Sequence, residues 1–366
     1  MKTPTRTRLA PSPTGALHLG NARTFITNWA LARSRGWSIL LRIEDLDSPR
    51  VKPGAIQQAI DDLAWLGMDW DDGPIIQSHD PAPYAEAMRA LAARGRVYPA
   101  PMSRREILAH AGRSASEADA HEGDSPASAP NEGSHEARFP PELRPPGAGE
   151  PHEFDPLGPG AQQTWRLLVH EQDICFHDHC SGPQRVSPAQ TVGDFIVWTA
   201  RAVPAYQLAV VVDDARQGID AIVRGRDLID SAARQILLRH ELGLADRPDL
   251  HPHQWHLPLV RGPDGRRLAK RHGDTRLAHY RERGVRPERV LGLLAGWCGL
   301  CPERSLEMDA REFLARFAGA NPDAARRCGG GSGAAGVAAP EAGGDPPSLP
   351  RDDIVLASED DRWLLG

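Results

Sequence analysis

Apolar positions along the chain fall into two rhythms. Two runs of strand length, Thr5 to Ala10 and the continuous apolar core of "WSILLRIEDLD" (Trp37 to Asp47), flank a stretch in which Ala22, Phe25, Ile26, Trp29 and Ala30 recur at helical spacing. The pattern predicts strand, turn, helix and strand, one βαβ unit, whose second strand delivers carboxylates to its C-terminal edge as a buried parallel strand does. "GAIQQAIDDLAWLG" then predicts a helix with Ile56, Ile60, Leu63, Trp65 and Leu66 turned inward. "DPAPYAEAMRALAARG" predicts another, entered through prolines and stopped by Gly95.

From about Gly112 to Gly160 the chain turns to Ser, Ala, Pro, Gly, Glu and His with few apolar residues, a composition that cannot offset the entropy of ordering. A largely irregular insertion is expected there. Order returns with "TWRLLV", "ICFHD" and "DFIVWTA", and "YQLAVVVDD" and "IDAIVRG" read as two more strands of the central sheet. A helix follows in "DLIDSAARQILLRHELG", opened by Asp227 and ended by Gly243. "ERVLGLLAGWCGL" beyond Pro287 is an apolar helix, and the segment after Ala318, through "RDDIVLASEDDRWLLG", reads as a mobile tail. The organisation expected is thus one α/β half over 1–98, a connective insertion over 99–190, a second half over 191–250, a loop and helical region over 251–318, and the tail over 319–366.

The bulk numbers restrict the function classes. A chain of 366 residues with 40% hydrophobic and 25% charged content is an ordinary globular one with room for two or three domains. It holds no apolar run near the ~20 residues of a membrane helix and no signal-peptide pattern, so the expected location is cytoplasmic, with no membrane partner. Five cysteines, an odd number, do not suggest a disulfide framework. The net charge of −6 argues against general nucleic-acid affinity, yet Arg224 to Arg289 holds 15 Lys/Arg against 9 Asp/Glu, which leaves room for a local basic surface.

Candidate chemistry starts at "PSPTGALHLGNART" (Pro11 to Thr24), where prolines, glycines and one histidine fill a strand-to-helix junction. Small residues there let a large ligand lie against the main chain, and the following helix offers its positive end to anions. Together with "LLRIEDLDSPR", "YQLAVVVDDARQG", "IVRGRDLI" and "RRLAKRHG", in that order and spacing, the chain resembles the glutamyl-tRNA synthetase family of class I aminoacyl-tRNA synthetases. It resembles most closely that family's shortened branch. The resemblance covers roughly 6–110 and 165–300. It implies an α/β fold: a Rossmann-type catalytic domain with a connective insertion, a short helical C-terminal part and no anticodon-binding domain.

The resemblance also implies the site. Pro11, His18, Gly20 and Asn21 would bind ATP, with His18 against the phosphates and Lys270 of a mobile loop holding the triphosphate in the transition state. Arg267 and Ala269 stand where the family's loop usually has lysine and serine. Arg8, Ser12, Glu44, Tyr206 and Arg224 match the positions that hold L-glutamate, Glu44 taking the ammonium and the cationic groups the carboxylates. Mg2+ would accompany ATP. The acceptor implied is queuosine at the wobble position of tRNA(Asp), presented as an anticodon stem-loop to a monomer. The alternatives are a truncated enzyme charging tRNA(Glu) and an inactive RNA-binding paralogue.

Many members of the family carry a zinc site in the insertion, but Ala100, Met102, Phe139 and Leu143 occupy its ligand positions here, so no zinc is expected. "CFHDHC" (Cys175 to Cys180) and "CGLC" (Cys298 to Cys301) read as packing rather than metal sites.

Overall fold

The structure is a computed structural model and describes residues 5–100, 102, 104–110, 138–244, 252–265, 268, 274–301, 306–320 and 349–365. The opening unit forms as the pattern requires: β1 (Arg6–Leu9), α1 (Leu19–Arg35) and β2 (Ser38–Ile43), followed by α2 (Ala55–Trp65), β3 (Asp72–Ile76) and α3 (Ala82–Ala93). Next come β4 (Val97–Pro99), α4 (Arg104–His110), β5 (Trp165–Leu167), β6 (Ile174–Asp178), β7 (Gly182–Val186), α5 (Pro188–Thr191) and β8 (Ile196–Trp198). The second half holds α6 (Tyr206–Arg216), β9 (Ala221–Gly225), α7 (Ile229–Glu241), β10 (His253–Leu257) and β11 (Val260–Arg261). The chain continues through α8 (Leu277–Glu282), α9 (Pro287–Trp297), α10 (Ala310–Gly319), β12 (Ile354–Val355) and α11 (Ser358–Leu365).

The central sheet has the order β3-β2-β1-β9-β10-β6-β7, parallel except for β7, which pairs antiparallel with β6. Alternation assigns its faces. Leu9, Ile39, Leu41, Ile43, Val223, Trp255 and Leu257 pack with α1, α9 and α10 into one core. The opposite face carries Arg8, Arg42, Arg224 and His256 beside Leu40 and Ile222, beneath α6. Because β1 connects to β2 on one side and abuts β9 on the other, the carboxyl ends of β1 and β9 diverge into a crevice, where ligands bind in open α/β sheets.

Five expectations need correction. "YQLAVVVDD" is a helix, α6, because a continuous apolar run is ambiguous by periodicity, and this one is buried over nearly its whole circumference, from Gln207 to Val211 and again at Asp213 and Asp214. Asp227 does not cap a helix: it lies in a one-turn 3-10 segment, Arg226–Leu228, and α7 starts at Ile229 without a side-chain cap. Within 99–190, β6 and β7 belong to the central sheet, whereas β4, β5 and β8 form a separate three-stranded sheet. Of the irregular stretch, 138–160 packs through turns and one-turn helices, with Phe139 and Phe154 buried, while 111–137 lies outside the described residues. Finally, the expected mobile tail returns: β12 pairs in parallel with β11, and Leu364 on α11 is fully buried in the main core. Residues 321–348 lie outside the described ones.

Candidate active site

The turn after β1 is organised by His18, the N-cap of α1. Its Nδ1 accepts from the backbone N–H of Gly20 at 3.1 Å and of Asn21 at 3.3 Å, while Asn21 Oδ1 accepts from the His18 N–H at 3.2 Å. A Cβ at position 20 would sit 3.0 Å from His18 Cε1, so glycine is what lets the ring fold back over the helix end. Leu19 N–H donates to Thr275 O and Ala22 N–H to His18 O. All four leading amides of α1 are therefore used within the chain. The positive end of α1 therefore reaches the cavity by way of His18, whose neutral ring must carry its proton on Nε2 because Nδ1 accepts.

Opposite this turn the polar sheet face holds a buried ionic network. Arg42 NH1 donates to Asp214 Oδ1 at 2.8 Å, Arg42 NH2 to Glu44 Oε1 at 3.0 Å, and Arg8 Nε to Asp214 Oδ1 at 3.3 Å. Arg8, Arg42 and Asp214 are at most 4% exposed. Burial alone would raise Asp214, but Arg8, Arg42 and Arg239 outweigh it and hold the carboxyl below its ordinary range. For Glu44 burial wins over Arg42 and Arg8, and its pKa is raised. Glu44 is fixed at the crevice by its N–H, which donates to Pro11 O at 3.1 Å. Arg8 and Glu44 thus do not pair with each other; each is oriented by a third residue.

One cavity, of about 170 Å³, is lined by Arg8, Pro11, Ser12, His18, Gly20, Asn21, Glu44, Tyr206 and Arg224, every expected site residue that the structure describes. Lys270, Arg267 and Ala269 lie outside the described residues. Their flanks are held, however: Leu268 is buried and lines the cavity, and Leu277 N–H donates to Leu17 O at 2.8 Å. A second cavity of about 710 Å³ shares the wall Thr14 to His18 and Leu268 and extends along α2. The larger space is lined by Lys52, Asp62, Asp274 and Arg276, whereas the smaller one brings the expected site residues together.

Arg224 is the most informative side chain in the wall. It is 5% exposed, its Nε donates to His256 Nε2 at 2.9 Å, and its two terminal nitrogens are buried without a partner. Such a group calls for an anion, above all a planar carboxylate taken in two bonds. The reading of the residues alone missed Arg42, Asp214, Asp178 and His256. The Arg42-x-Glu44 alternation at a strand end was a usable signal for the first; Asp213 and Asp214 were hidden by reading α6 as a strand.

The four positions where the resemblance would place zinc ligands meet in space: Ala100 and Phe139 are core members, and Met102 and Leu143 pack on them, in one apolar cluster with Tyr98, Ile107 and Leu168. These side chains cannot hold zinc. Among the described residues no group of three His, Cys, Asp or Glu side chains could hold a metal ion. His179 stacks on Trp255 with ring centroids 4.3 Å apart, and Cys298 is buried in the main core. No helix among the described residues is long and apolar enough to cross a membrane.

Comparison with known proteins bears on the same site. The family described as tRNA synthetases class I (E and Q), catalytic domain, matches residues 4–318. The chain is 43% identical over 323 residues to a glutamyl-Q tRNA(Asp) synthetase of Rhodopirellula baltica, covering 85% of this chain and 92% of that one. It is 44% identical over 304 residues to a protein of the same name from Symbiobacterium thermophilum, covering 80% of this chain and 86% of that one. Among solved structures, glutamate-tRNA synthetase from Elizabethkingia anophelis superposes with a TM-score of 0.67 at 21% identity, covering 99% of this chain and 70% of that one, a likeness of fold.

Proposed function

The chain belongs to the class I tRNA synthetase family for glutamate and glutamine, and we propose that it activates L-glutamate with ATP and passes the glutamyl group to queuosine in tRNA(Asp). The observation that carries the glutamate reading is Arg224, which lines the same cavity as Glu44, Arg8 and Tyr206 and whose two terminal nitrogens are buried without a hydrogen-bond partner. That set offers one carboxylate for an ammonium and two guanidinium groups for carboxylates, the charge pattern of an acidic amino acid. The acceptor comes from the relatives, whose name states tRNA(Asp).

In the first step a glutamate α-carboxylate oxygen attacks the α-phosphorus of ATP, the bond to the bridging oxygen breaks, and pyrophosphate leaves. In the second an acceptor hydroxyl attacks the glutamyl carbonyl and AMP leaves. No enzyme nucleophile is needed; rate comes from placing two anions together and neutralising them. His18 Nε2–H and Lys270 supply positive character on the phosphate side. The wall carboxylates Glu44, Asp62 and Asp274 each accept from an arginine, Arg42, Arg281 and Arg276, so Mg2+ would come to these walls as a companion of the triphosphate. When bound, the ion neutralises phosphate charge. One chain supplies every residue named, so a monomer suffices.

Pyrophosphate exchange into ATP, dependent on glutamate and not on glutamine or aspartate, tests the first step. Labelled glutamate should then attach to an anticodon stem-loop bearing queuosine and not to one bearing guanosine. Attachment to the 3′-terminal adenosine of tRNA(Glu) instead would establish a truncated tRNA(Glu)-charging enzyme, and absence of any exchange would establish an inactive paralogue.

A further inference from the structure

Behind Arg224 three parallel strands place a polar chain that the reaction as described does not use. β6 ends in Asp178, β10 carries His256 and β9 carries Arg224, with His256 and Arg224 direct partners in register. Asp178 Oδ2 lies 2.7 Å from His256 Nδ1 and accepts the His256 backbone N–H at 3.0 Å. The other oxygen, Oδ1, accepts from Ser181 N at 2.7 Å and Cys180 N at 3.1 Å. His256 and Asp178 are fully buried.

Hydrogen-bond chemistry fixes the state of this chain. Arginine Nε is always a donor, so His256 Nε2 must present its lone pair, and Nδ1 must carry the proton and donate it to Asp178. An imidazolium would set N–H against N–H at Arg224. With Nε engaged, rotation of the guanidinium is blocked, and the terminal pair of nitrogens is left for a ligand.

Taking Arg224 as the carboxylate reader of the preceding section, we propose that His256 and Asp178 are positioning residues that hold it, through a neutral histidine acceptor, in the one orientation that receives a glutamate carboxylate with both terminal nitrogens. The charged groups acting on the ring are Asp178 from β6, Arg224 from β9 and Asp227 from the turn after β9. Burial and Arg224 keep its pKa below the ordinary histidine value, outweighing Asp178.

The substitutions separate positioning from mere packing. His256→Leu removes the acceptor. Asp178→Asn keeps the shape but sets an amide against either the ring N–H or the Cys180 and Ser181 amides, which favours the wrong tautomer. His256→Gln keeps an oxygen where Nε2 stood and cannot titrate. In glutamate-dependent pyrophosphate exchange, His256→Leu and Asp178→Asn should raise the glutamate KM about 10- to 100-fold, the effect of one lost charged hydrogen bond, and leave the ATP KM within twofold. His256→Gln should stay within about fivefold of the parent and lose the parent's rise in glutamate KM as pH falls below the histidine range. Unchanged glutamate KM in Asp178→Asn and His256→Leu, or an acid rise retained in His256→Gln, would overturn the proposal. Arg224→Ala is the separate control: if it too leaves glutamate KM unchanged, the glutamate reading of the pocket fails, whereas a large effect in Arg224→Ala alone removes only the positioning role.

Discussion

At the scale of residues, the chemistry of the wall was legible and its supports were not. Arg8, Glu44, Tyr206 and Arg224 were named through the resemblance to the family's motifs, and they share one cavity. Asp214, which orients both Arg8 and Arg42, comes from a helix far along the chain, and no spacing rule connects a buried ion to a distant partner. Removing that partner should be costly: Asp214→Ala leaves two buried guanidinium groups facing each other, and we expect a loss of about 3–5 kcal/mol in urea unfolding. On the ligand side Arg224→Ala should raise the glutamate KM about 100-fold, while Lys270→Ala should lower kcat for adenylate formation with little change in glutamate KM. Equal, small effects of the two substitutions would contradict the assignment. Acid sensitivity has a definable window. Burial, with the charges of His253 and His177, pulls His179 down to about 4 from 6.5. The unfolded chain therefore takes up this proton first, and stability falls as pH drops from 6.5 to about 4. Asp214, held low, adds its loss only below the ordinary carboxylate value of 3.8. Thermal midpoints taken between pH 7 and 4 should fall, and less steeply in His179→Gln; identical slopes would remove His179 as a source.

At the scale of elements, β2 and the helices α1, α2, α3 and α9 were read correctly, and α6 was not. α1, α2 and α3 show their faces in the sequence, whereas α6 has polar residues, Gln207, Asp213 and Asp214, on buried positions and apolar ones between them. Its true length of 11 residues, more than a strand needs, was the usable discriminator. Strands β3, β7 and β10 escaped for a different reason: prolines, glycines and histidines make up much of them, and only pairing to neighbours makes them strands. Close approach of elements is equally invisible. Gly292 in α9 would place a Cβ 1.4 Å from the backbone oxygen of Leu306, a contact no rotamer change relieves. Helix propensity alone predicts that Gly292→Ala gains about 1 kcal/mol. The packing predicts the opposite sign, a loss of about 3 kcal/mol or more, since the chain at Leu306 must move away from α9. A stabilised Gly292→Ala protein would show that the two segments do not meet as described.

At the scale of the whole molecule, the opening βαβ unit was readable because it carries its own strand and helix rhythm. The return of the C-terminal segment was not, because a glycine-, alanine- and proline-rich stretch precedes it and carries no periodicity. Yet that segment bears on the site. β12 pairs with β11, Asp353 accepts from Leu259 N at 2.8 Å and from Arg261 Nε at 2.5 Å, and Arg226 NH2 donates to Arg351 O at 2.6 Å. Leu259 and Val260 line the cavity, and the chain runs directly from there toward Leu268 and Lys270. The segment is therefore a clasp on one root of the loop expected to hold the triphosphate. The other root is tied by Leu277 to Leu17. Loss of the clasp lets the first root, Leu259 to Arg261, move at the cavity wall, and should be felt by ATP rather than glutamate. Asp353→Ala, which leaves β12 and Leu364 in place, should raise the ATP KM about 10-fold with the glutamate KM unchanged. Deletion of 349–366 should add a lower thermal midpoint, because Ile354, Leu356 and Leu364 leave the core. If instead both proteins keep the parent's ATP KM, the clasp contributes to folding alone and the loop needs no help from the C-terminal segment.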